Sequence, residues 1–573
     1  MMLPALAPAV FRTVAGAAVA WTCGLDGRYG VVGDPRQETF SERHDAAARP
    51  RSINRRDFLR YSGMGAAMLG GASALVACSS SSTPSSTSSQ PAAAGKPKMG
   101  GTLHAGLTGG TGSDTVDAHR GVDNVDFARI IALYDPLIGY DLQAQNKLAL
   151  AESITPNAKA TVWTVRLRPG VTFHNGKPLT AEDVIYSLTR IVKNNYGGAS
   201  SLASVDIKNL KALDSLTVEI PCNTPYATLP DAMTGYYYYM GIVPVGYDPT
   251  HPVGTGPFKY QSFTPGQQST FLRNDHYWDS TDGPYVDTLV ITDYPDETSQ
   301  VNAFVSGQAD LVNLLSATSI PQVQANGNIL TADGGGMTPF TMRVDKPPFN
   351  DPKVRQAMRL ICNRPQMIEL VFGGRGTLGN DIFSPFDPSI DHSIPQRTQD
   401  IAQAKSLLKS AGQEGLTVQL VTADIAQGTL KVAQVFAQQA AAAGVTVNLR
   451  TVTGTEFYGN NYLKWVFAQD YWYYSKYLPQ VAQATLPNSP FNETHWDDPA
   501  YTKLYNQAVA TVDPTARTAI AHEMQAIDHS IGGYIIPYFP PTIDGYAKNV
   551  KGVVPTKAGL SLGSYNFKAM WLA

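Results

Sequence analysis

The sequence predicts an α/β protein of more than one domain, and three observations carry that expectation. Residues 416–421, 429–443 and 445–452 read strand, helix, strand, an alternation that implies a partly parallel sheet. Residues 166–188, RLRPGVTFHNGKPLTAEDVIYSL, read as an extended segment, a tight turn and a helix start. A chain of 573 residues is also too long for a single core, so two or three domains are expected.

The chain opens on a leader. Asn54-Arg55-Arg56-Asp57-Phe58-Leu59 resembles the twin-arginine export signal. Residues 61–77 are apolar but rich in Gly and Ala, too short and too weakly hydrophobic for a membrane span and suited to a signal-peptide core. Leu75-Val76-Ala77-Cys78 resembles the lipobox of bacterial lipoproteins, in which small residues precede a cysteine whose thiol receives a diacylglycerol. The plainer alternative is a chance L-x-A-C after an apolar run, and the order of arginine pair, apolar core and serine-rich tether argues against it. The signal is placed at 51–78 and the tether at 79–99, where Ser, Thr, Pro, Ala and Gln predominate and no core can form. Such a tether of about 20 residues spans roughly 25 Å, enough to hold a domain just off a membrane surface. Residues 1–50 form an extension of uncertain role, mildly apolar from Met1 to Cys23, that a second leader or a start downstream of Met1 would explain; no fold is expected of them.

Composition narrows the function classes. The chain is 43% apolar and 10% aromatic, enough to fold, and only 16% charged, which suits a secreted protein. Net charge is −3, and beyond residue 77 the 35 basic and 41 acidic residues leave −6. No basic stripe is present, which argues against nucleic acid as a partner. Of four cysteines two lie in the leader, leaving Cys222 and Cys362 as either two thiols or one bridge.

In the stretch 166–188, Val165, Leu167 and Val171 favour extended backbone, Pro169-Gly170 breaks it and Asn175-Gly176 makes a turn. Thr180 is a good N-cap, Glu182 and Asp183 suit the positive end of a helix, and Val184, Ile185 and Leu188 share one buried face. The string itself resembles the L-R-x-G-V-x-F-H-x-G-x-P-x-T-A-x-D-V segment of the family 5 extracellular solute-binding proteins, the peptide and nickel receptors of ABC importers. Further matches follow in the family's order: Gly100-Gly101-Thr102-Leu103-His104, Tyr134-Asp135-Pro136-Leu137, Leu148-Ala149 with Glu152-Ser153, Gly254-Thr255-Gly256-Pro257-Phe258, Arg273-Asn274 with Tyr277-Trp278, Val301 to Asp310, Asp351-Pro352 with Val354-Arg355-Gln356-Ala357-Met358, and Ile536-Pro537. They cover most of residues 100–573. The resemblance implies two α/β lobes of the periplasmic-binding-protein type, hinged by crossing strands and carrying an extra domain in the first lobe. Lobe I is expected at 100–140, 254–340 and 538–573, the extra domain at 141–253 and lobe II at 341–537.

Several motifs point elsewhere and are set aside. Gly374 to Gly379 fits G-x-G-x-x-G, but a helical run at 367–372 precedes it where a dinucleotide site needs a strand. Gly559-Leu560-Ser561-Leu562-Gly563 fits G-x-S-x-G, yet no His or Asp follows it to complete a hydrolase triad. His522, Glu523 and His529 lack zinc-ligand spacing, and no metal or cofactor is expected.

The expected ligand site is the run Phe467-Ala468-Gln469-Asp470-Tyr471-Trp472-Tyr473-Tyr474-Ser475-Lys476-Tyr477-Leu478. In the family's peptide receptors this place carries W-x-A-D-Y-x-x-P-x-x-[FY]-L, whose aspartate pairs with the peptide α-ammonium; Asp470-Tyr471 and Tyr477-Leu478 match that spacing. The resemblance thus assigns Asp470 to the ammonium, with Phe467, Tyr471, Trp472 and Tyr473 around it; the plainer alternative is a turn aspartate before an aromatic strand. Phe467 stands where the family has Trp, and Trp472-Tyr473-Tyr474 replaces x-x-P, so an aromatic, cyclic or sugar-like solute competes with a plain oligopeptide. Tyr236 to Tyr239, read as a strand, would turn two rings to the cleft, Tyr238 among them, or pack all of them in the core. No arginine is assignable to a peptide carboxylate. The expectation is therefore a monomeric, lipid-anchored receptor, not an enzyme, on the outer face of the cytoplasmic membrane. It delivers a small solute, foremost a peptide, to an ABC permease; a nickel chelate, haem, an opine or an oligosaccharide are the alternatives within the class. A secreted hydrolase is the rival outside it.

Overall fold

The computed structural model describes residues 95–573. Arg55, Arg56 and Cys78, with the segments 1–50 and 51–78, lie outside the described residues, as does the tether up to residue 94.

The stretch that carries the family resemblance builds the extra domain. Strand Val162–Leu167 runs into a turn in which Phe173 N–H donates to Lys177 O (2.9 Å) and Gly176 takes φ +83°. Helix Ala181–Lys193 then starts at Thr180, whose backbone N–H (2.9 Å) and hydroxyl (2.8 Å) both donate to the Asp183 carboxylate. Val184, Leu188 and Ile191 on this helix are fully buried, as are Val165, Val218 and Ile220 of the sheet it shares a core with. Side chains of this size contribute about 1.5–3 kcal/mol each when buried. That sheet is antiparallel, in the order Ala151–Pro156, Val162–Leu167, Thr217–Pro221, Lys211–Asp214.

Two of the sequence motifs meet in space. His174, burial holding its pKa down at about 4 and its ring neutral, accepts from Gly254 N–H at Nδ1 (3.2 Å) and donates from Nε2 to Gly256 O (3.0 Å). Gly254 and Gly256 must be glycines for a separate reason. A Cβ at either would fall 2.0 Å from Leu133 O or 2.4 Å from Leu133 C, because this segment lies flat on the end of helix Asn124–Leu133.

Lobe I is a seven-stranded mixed sheet, ordered Gly327–Ala332, Thr542–Ala547, Leu311–Val312, Thr102–Thr108, Thr288–Tyr294, Gln268–Arg273, Phe258–Thr264. Lobe II is a five-stranded sheet, ordered Thr446–Val452, Thr417–Ala423, Phe467–Gln469, Phe340–Met342, Tyr534–Ile535. The expected strand, helix, strand unit is Thr417–Ala423, Thr429–Ala442 and Thr446–Val452, with Thr417 opposite Thr446 in parallel register. Helix Pro352–Ile361 begins at Asp351, whose carboxylate accepts from Lys353 N–H (2.8 Å). The chain crosses between the lobes twice, at residues 333–339 and 536–541. Cys222 and Cys362 are free thiols, which closes the question of a bridge between them.

One local expectation is corrected. Tyr236 to Tyr239 do not form a strand: helix Leu229–Gly235 runs directly into a 3-10 turn at Tyr237–Tyr239. The Tyr238 ring packs 4.3 Å from Phe127 in the lobe I core and is 4% exposed.

Candidate functional site

Asp470 follows the last residue of the strand Phe467–Gln469, and its backbone carries the pairing onto the first crossing segment. Its N–H donates to Pro339 O (3.2 Å), and Met337 and Trp472 exchange backbone bonds of 2.9 and 2.8 Å. The run that follows is extended, so its side chains alternate. Asp470, Trp472 and Tyr474 are buried, while Tyr471 and Tyr473 are half-buried.

The carboxylate of Asp470 is 2% exposed. Its Oδ1 accepts from the Tyr458 hydroxyl (2.5 Å) and from Tyr471 N–H (2.7 Å). Glu493, 5% exposed, lies against it, and Glu493 Oε2 accepts from the Trp472 indole N–H (3.2 Å) and the Tyr534 hydroxyl (3.0 Å). Burial, reinforced by the Asp470 charge, holds the Glu493 carboxyl well above its ordinary range. The same two causes push the Tyr458 and Tyr462 hydroxyls up, so both remain donors. Among the described residues neither carboxyl forms an ion pair. Arg343, beside the same strand, is held by Asp345 through two bonds of 2.7 and 2.6 Å.

Aromatic rings enclose this corner. Tyr458 lies 5.1 Å from Tyr462 and 6.5 Å from Tyr471, which in turn lies 5.5 Å from Tyr473. Tyr473 reaches across to the first lobe, 6.0 Å from Phe127 and 6.2 Å from Tyr238. A buried carboxylate with neutral donors and ring faces is complementary to a cation, and above all to an ammonium, which takes charge-assisted bonds from the acid and favourable contact with the rings.

The expected residues thus divide. Asp470, Tyr471 and Tyr473 stand together, and Tyr238 touches Tyr473 from the opposite lobe. Trp472 and Phe467 do not belong to the ring cluster. Trp472 is 8% exposed and faces the core shared with the extra domain, touching the site only through Glu493. Phe467 is 1% exposed and sits in the lobe II core, 5.1 Å from Phe349 and 6.0 Å from Phe436. For Phe467 the alternation of the strand points the side chain away from Asp470, whereas Trp472 shares the parity of Asp470 and is held by packing in the core shared with the extra domain. Glu493, Tyr458 and Tyr462 were not anticipated. The density of rings at Phe457, Tyr458, Tyr462 and Trp465 was a signal for the two tyrosines; nothing in the loop around Glu493 marked it.

A separate cavity of about 970 Å³ lies within lobe I and the extra domain, lined by Tyr134, Asp135, Tyr140, Tyr237, Trp278 and Tyr565 among others. Of the expected ligand residues Tyr238 alone lines it, and Asp470 is not part of its wall. Ser561 of the G-x-S-x-G string is buried, and the Asp544 carboxylate near it accepts from the Leu314 and Leu562 backbone N–H groups. The G-x-G-x-x-G string follows helix Arg364–Phe372 and enters the two-residue strand Thr377–Leu378, the reverse of a dinucleotide site.

The family described as bacterial extracellular solute-binding proteins, family 5, matches residues 146–498, more than half of the chain. The protein belongs to that family. Family 5 binding proteins are extracytoplasmic components of ABC transporters, and the chain is similar to a glutathione-binding protein of Pectobacterium atrosepticum, 25% identical over 450 residues that cover 72% of this chain and 84% of the relative. Its fold is shared with the ABC transporter substrate-binding protein CtaP of Listeria monocytogenes (TM-score 0.73, 20% identity, 83% of this chain and 100% of that one). It is shared also with the periplasmic binding protein DppA of Helicobacter pylori in complex with the peptide STSA (TM-score 0.68, 22% identity, 83% and 98%). The binding protein therefore has the two-lobed fold of these structures.

Proposed function

We propose that this family 5 binding protein is a monomeric, lipid-anchored receptor that captures a peptide between its lobes and delivers it to an ABC permease. Asp470 takes the peptide α-ammonium. The observation that carries the reading is a carboxylate 2% exposed with no cation partner among the described residues, set at the foot of a ring-lined inter-lobe contact. Charge-assisted bonds there contribute about 1.5–3 kcal/mol each, and a solute without a cation leaves the acid unpaired. Export by the twin-arginine route and attachment through Cys78 rest on the leader sequence. Lobe I at 100–140, 254–340 and 538–573, the extra domain at 141–253 and lobe II at 341–537 are the boundaries that go with this reading.

A second reading is favoured by one feature, the tyrosines that replace the family's x-x-P: a non-peptide amine with flat faces, for which ring stacking outweighs backbone bonds. Native mass spectrometry of residues 79–573, recorded before and after gentle unfolding, separates the two. A ladder of peptide masses supports the receptor for peptides, and a single non-peptide mass supports the alternative. Rebinding that survives Asp470→Asn unchanged would remove Asp470 from the site under either reading.

A further inference from the structure

The cavity of about 970 Å³ within lobe I and the extra domain is separate from the Asp470 site. It stands at the upper end of the range for small-molecule pockets, about 300–1,000 Å³. Two pairs of half-buried rings belong to its wall, Tyr140 with Tyr237 (centroids 6.0 Å apart) and Tyr277 with Trp278 (5.6 Å). The charged groups of the wall are matched or lie in solvent. Asp135 accepts from the Thr255 and Tyr277 hydroxyls (2.9 Å each) and from the Trp278 indole N–H (2.8 Å). Lys568 pairs with Asp279 (2.6 Å), and Asp141 accepts from the Gln143 and Gln145 backbone N–H groups (2.8 Å each). Lys147 and Asp282 are exposed. An ionic solute would therefore find no counter-charge inside. The side-chain amides of Gln143 and Asn566, also on the wall, bond to no other described residue, and each can both donate and accept.

One side of the wall is a left-handed turn. Leu562, Gly563, Ser564 and Tyr565 take φ of +52°, +65°, +62° and +53°, a run that residues with a Cβ adopt only under constraint. Leu562 N–H donates to Asp544 Oδ2 (2.5 Å), and a Cβ at Gly563 would fall 2.3 Å from Val554 O. Backbone held in this way gathers where ligands are clamped, and Gly563, Ser564 and Tyr565 all line the cavity. We propose that the cavity is a second binding site, which takes a neutral saccharide. The C–H faces of its rings lie on the tyrosines and Trp278, and its hydroxyls bond the Gln143 and Asn566 amides. Rings with apolar faces and uncharged hydroxyls match a wall of aromatic faces, free amides and matched charges. Tyr238 lines this cavity and lies 6.2 Å from Tyr473, so it stands between the two sites. The inference holds whether or not Asp470 takes a peptide.

Titration calorimetry of the protein with maltose, lactose and N,N′-diacetylchitobiose tests it. At least one of the three should bind. Asn566→Trp, which places an indole in the cavity, should weaken that binding by about tenfold or more without lowering the melting temperature. Should the indole unfold the protein, the double variant Gln143→Ala/Asn566→Ala, which trims only unbonded side chains, should show the same loss. The absence of binding by all three overturns the proposal. So does a saccharide held as tightly by the folded variant as by wild type, because it is then bound elsewhere. Decanoate or trialanine bound by wild type and lost in Asn566→Trp overturns the saccharide class.

Discussion

Gly334 and Pro540 stand on the two segments that cross between the lobes, so close that a Cβ on Gly334 would fall 2.1 Å from the Pro540 carbonyl oxygen. The two crossings therefore pass in direct contact at this point, with no room for a side chain between them. Gly334→Val must push them apart. The expected cost is about 1–3 kcal/mol, the range for overpacking. A thermal melt of the variant that matches wild type would show that the crossings are further apart than described.

Lys476 of lobe II reaches Asp231 of the extra domain (3.8 Å) and Gln145 (3.4 Å). Its side chain is 9% exposed and that of Asp231 23%, so the pair is partly shielded from water. It links surfaces that opening must separate. Lys476→Met is expected to favour the open form, weakening solute binding about fivefold, equivalent to about 1 kcal/mol. Small-angle scattering of the solute-free variant should give a larger radius than wild type; equal radii and equal affinity would deny the link.

Asp381 is buried between Arg364, which it meets through two bonds of 2.9 Å, and Arg397 at 2.8 Å. Against the cost of burial, Arg364, Arg359 and Arg397 hold its carboxyl below the ordinary range. Asp381→Asn leaves buried guanidinium groups uncompensated, for which about 3–5 kcal/mol is the usual penalty. Denaturant unfolding reads it directly.

Asp528 is buried and accepts at Oδ2 from Tyr477 OH (2.6 Å) and Tyr501 OH (3.0 Å). Burial pushes its carboxyl up to about 7, opposed by those two hydroxyls and by Arg359. The folded state thus keeps a proton that the unfolded chain, with an aspartate near 3.9, gives up. Stability should fall as pH rises from about 4 to 7 and level off above, by up to roughly 4 kcal/mol from this group. Asp528→Asn should remove its own part of the slope, leaving the shares of Asp126, which burial also pushes to about 7, and of Asp293 and Asp544, pushed to about 6. Melting temperatures between pH 4.5 and 8 that slope alike in both proteins would exclude Asp528 as the source.

The sequence made the lobes legible because family motifs and alternation repeat over hundreds of residues, and because caps such as Thr180 and Asp351 act locally. Asp470 is assigned only through the spacing to Tyr477-Leu478, and the burial of its carboxylate was not readable from that spacing. Phe467 lies in the lobe II core and Trp472 in the core shared with the extra domain, because alternation along a strand does not say which face meets the cleft. Tyr236 to Tyr239 looked like a strand because tyrosine favours extended backbone. Packing overrides that preference, since helix Leu229–Gly235 delivers the chain to a turn where Tyr238 fills a gap beside Phe127. Glu493 was invisible for a different reason: a loop glutamate between Asn492 and Thr494 looks solvated until the fold lays it on Asp470.

The extra domain and lobe II share one continuous apolar core, in which Tyr226 and Leu229 belong with Tyr505 and Val509, and Ala227 N–H donates to Val509 O (2.6 Å). If that seam parts when the lobes open, closing the receptor dehydrates far more oil-like surface than any small solute brings with it. Binding should then carry a large negative heat-capacity change set by the protein rather than by the guest, so that solutes of very different size yield nearly the same temperature dependence of their binding enthalpy.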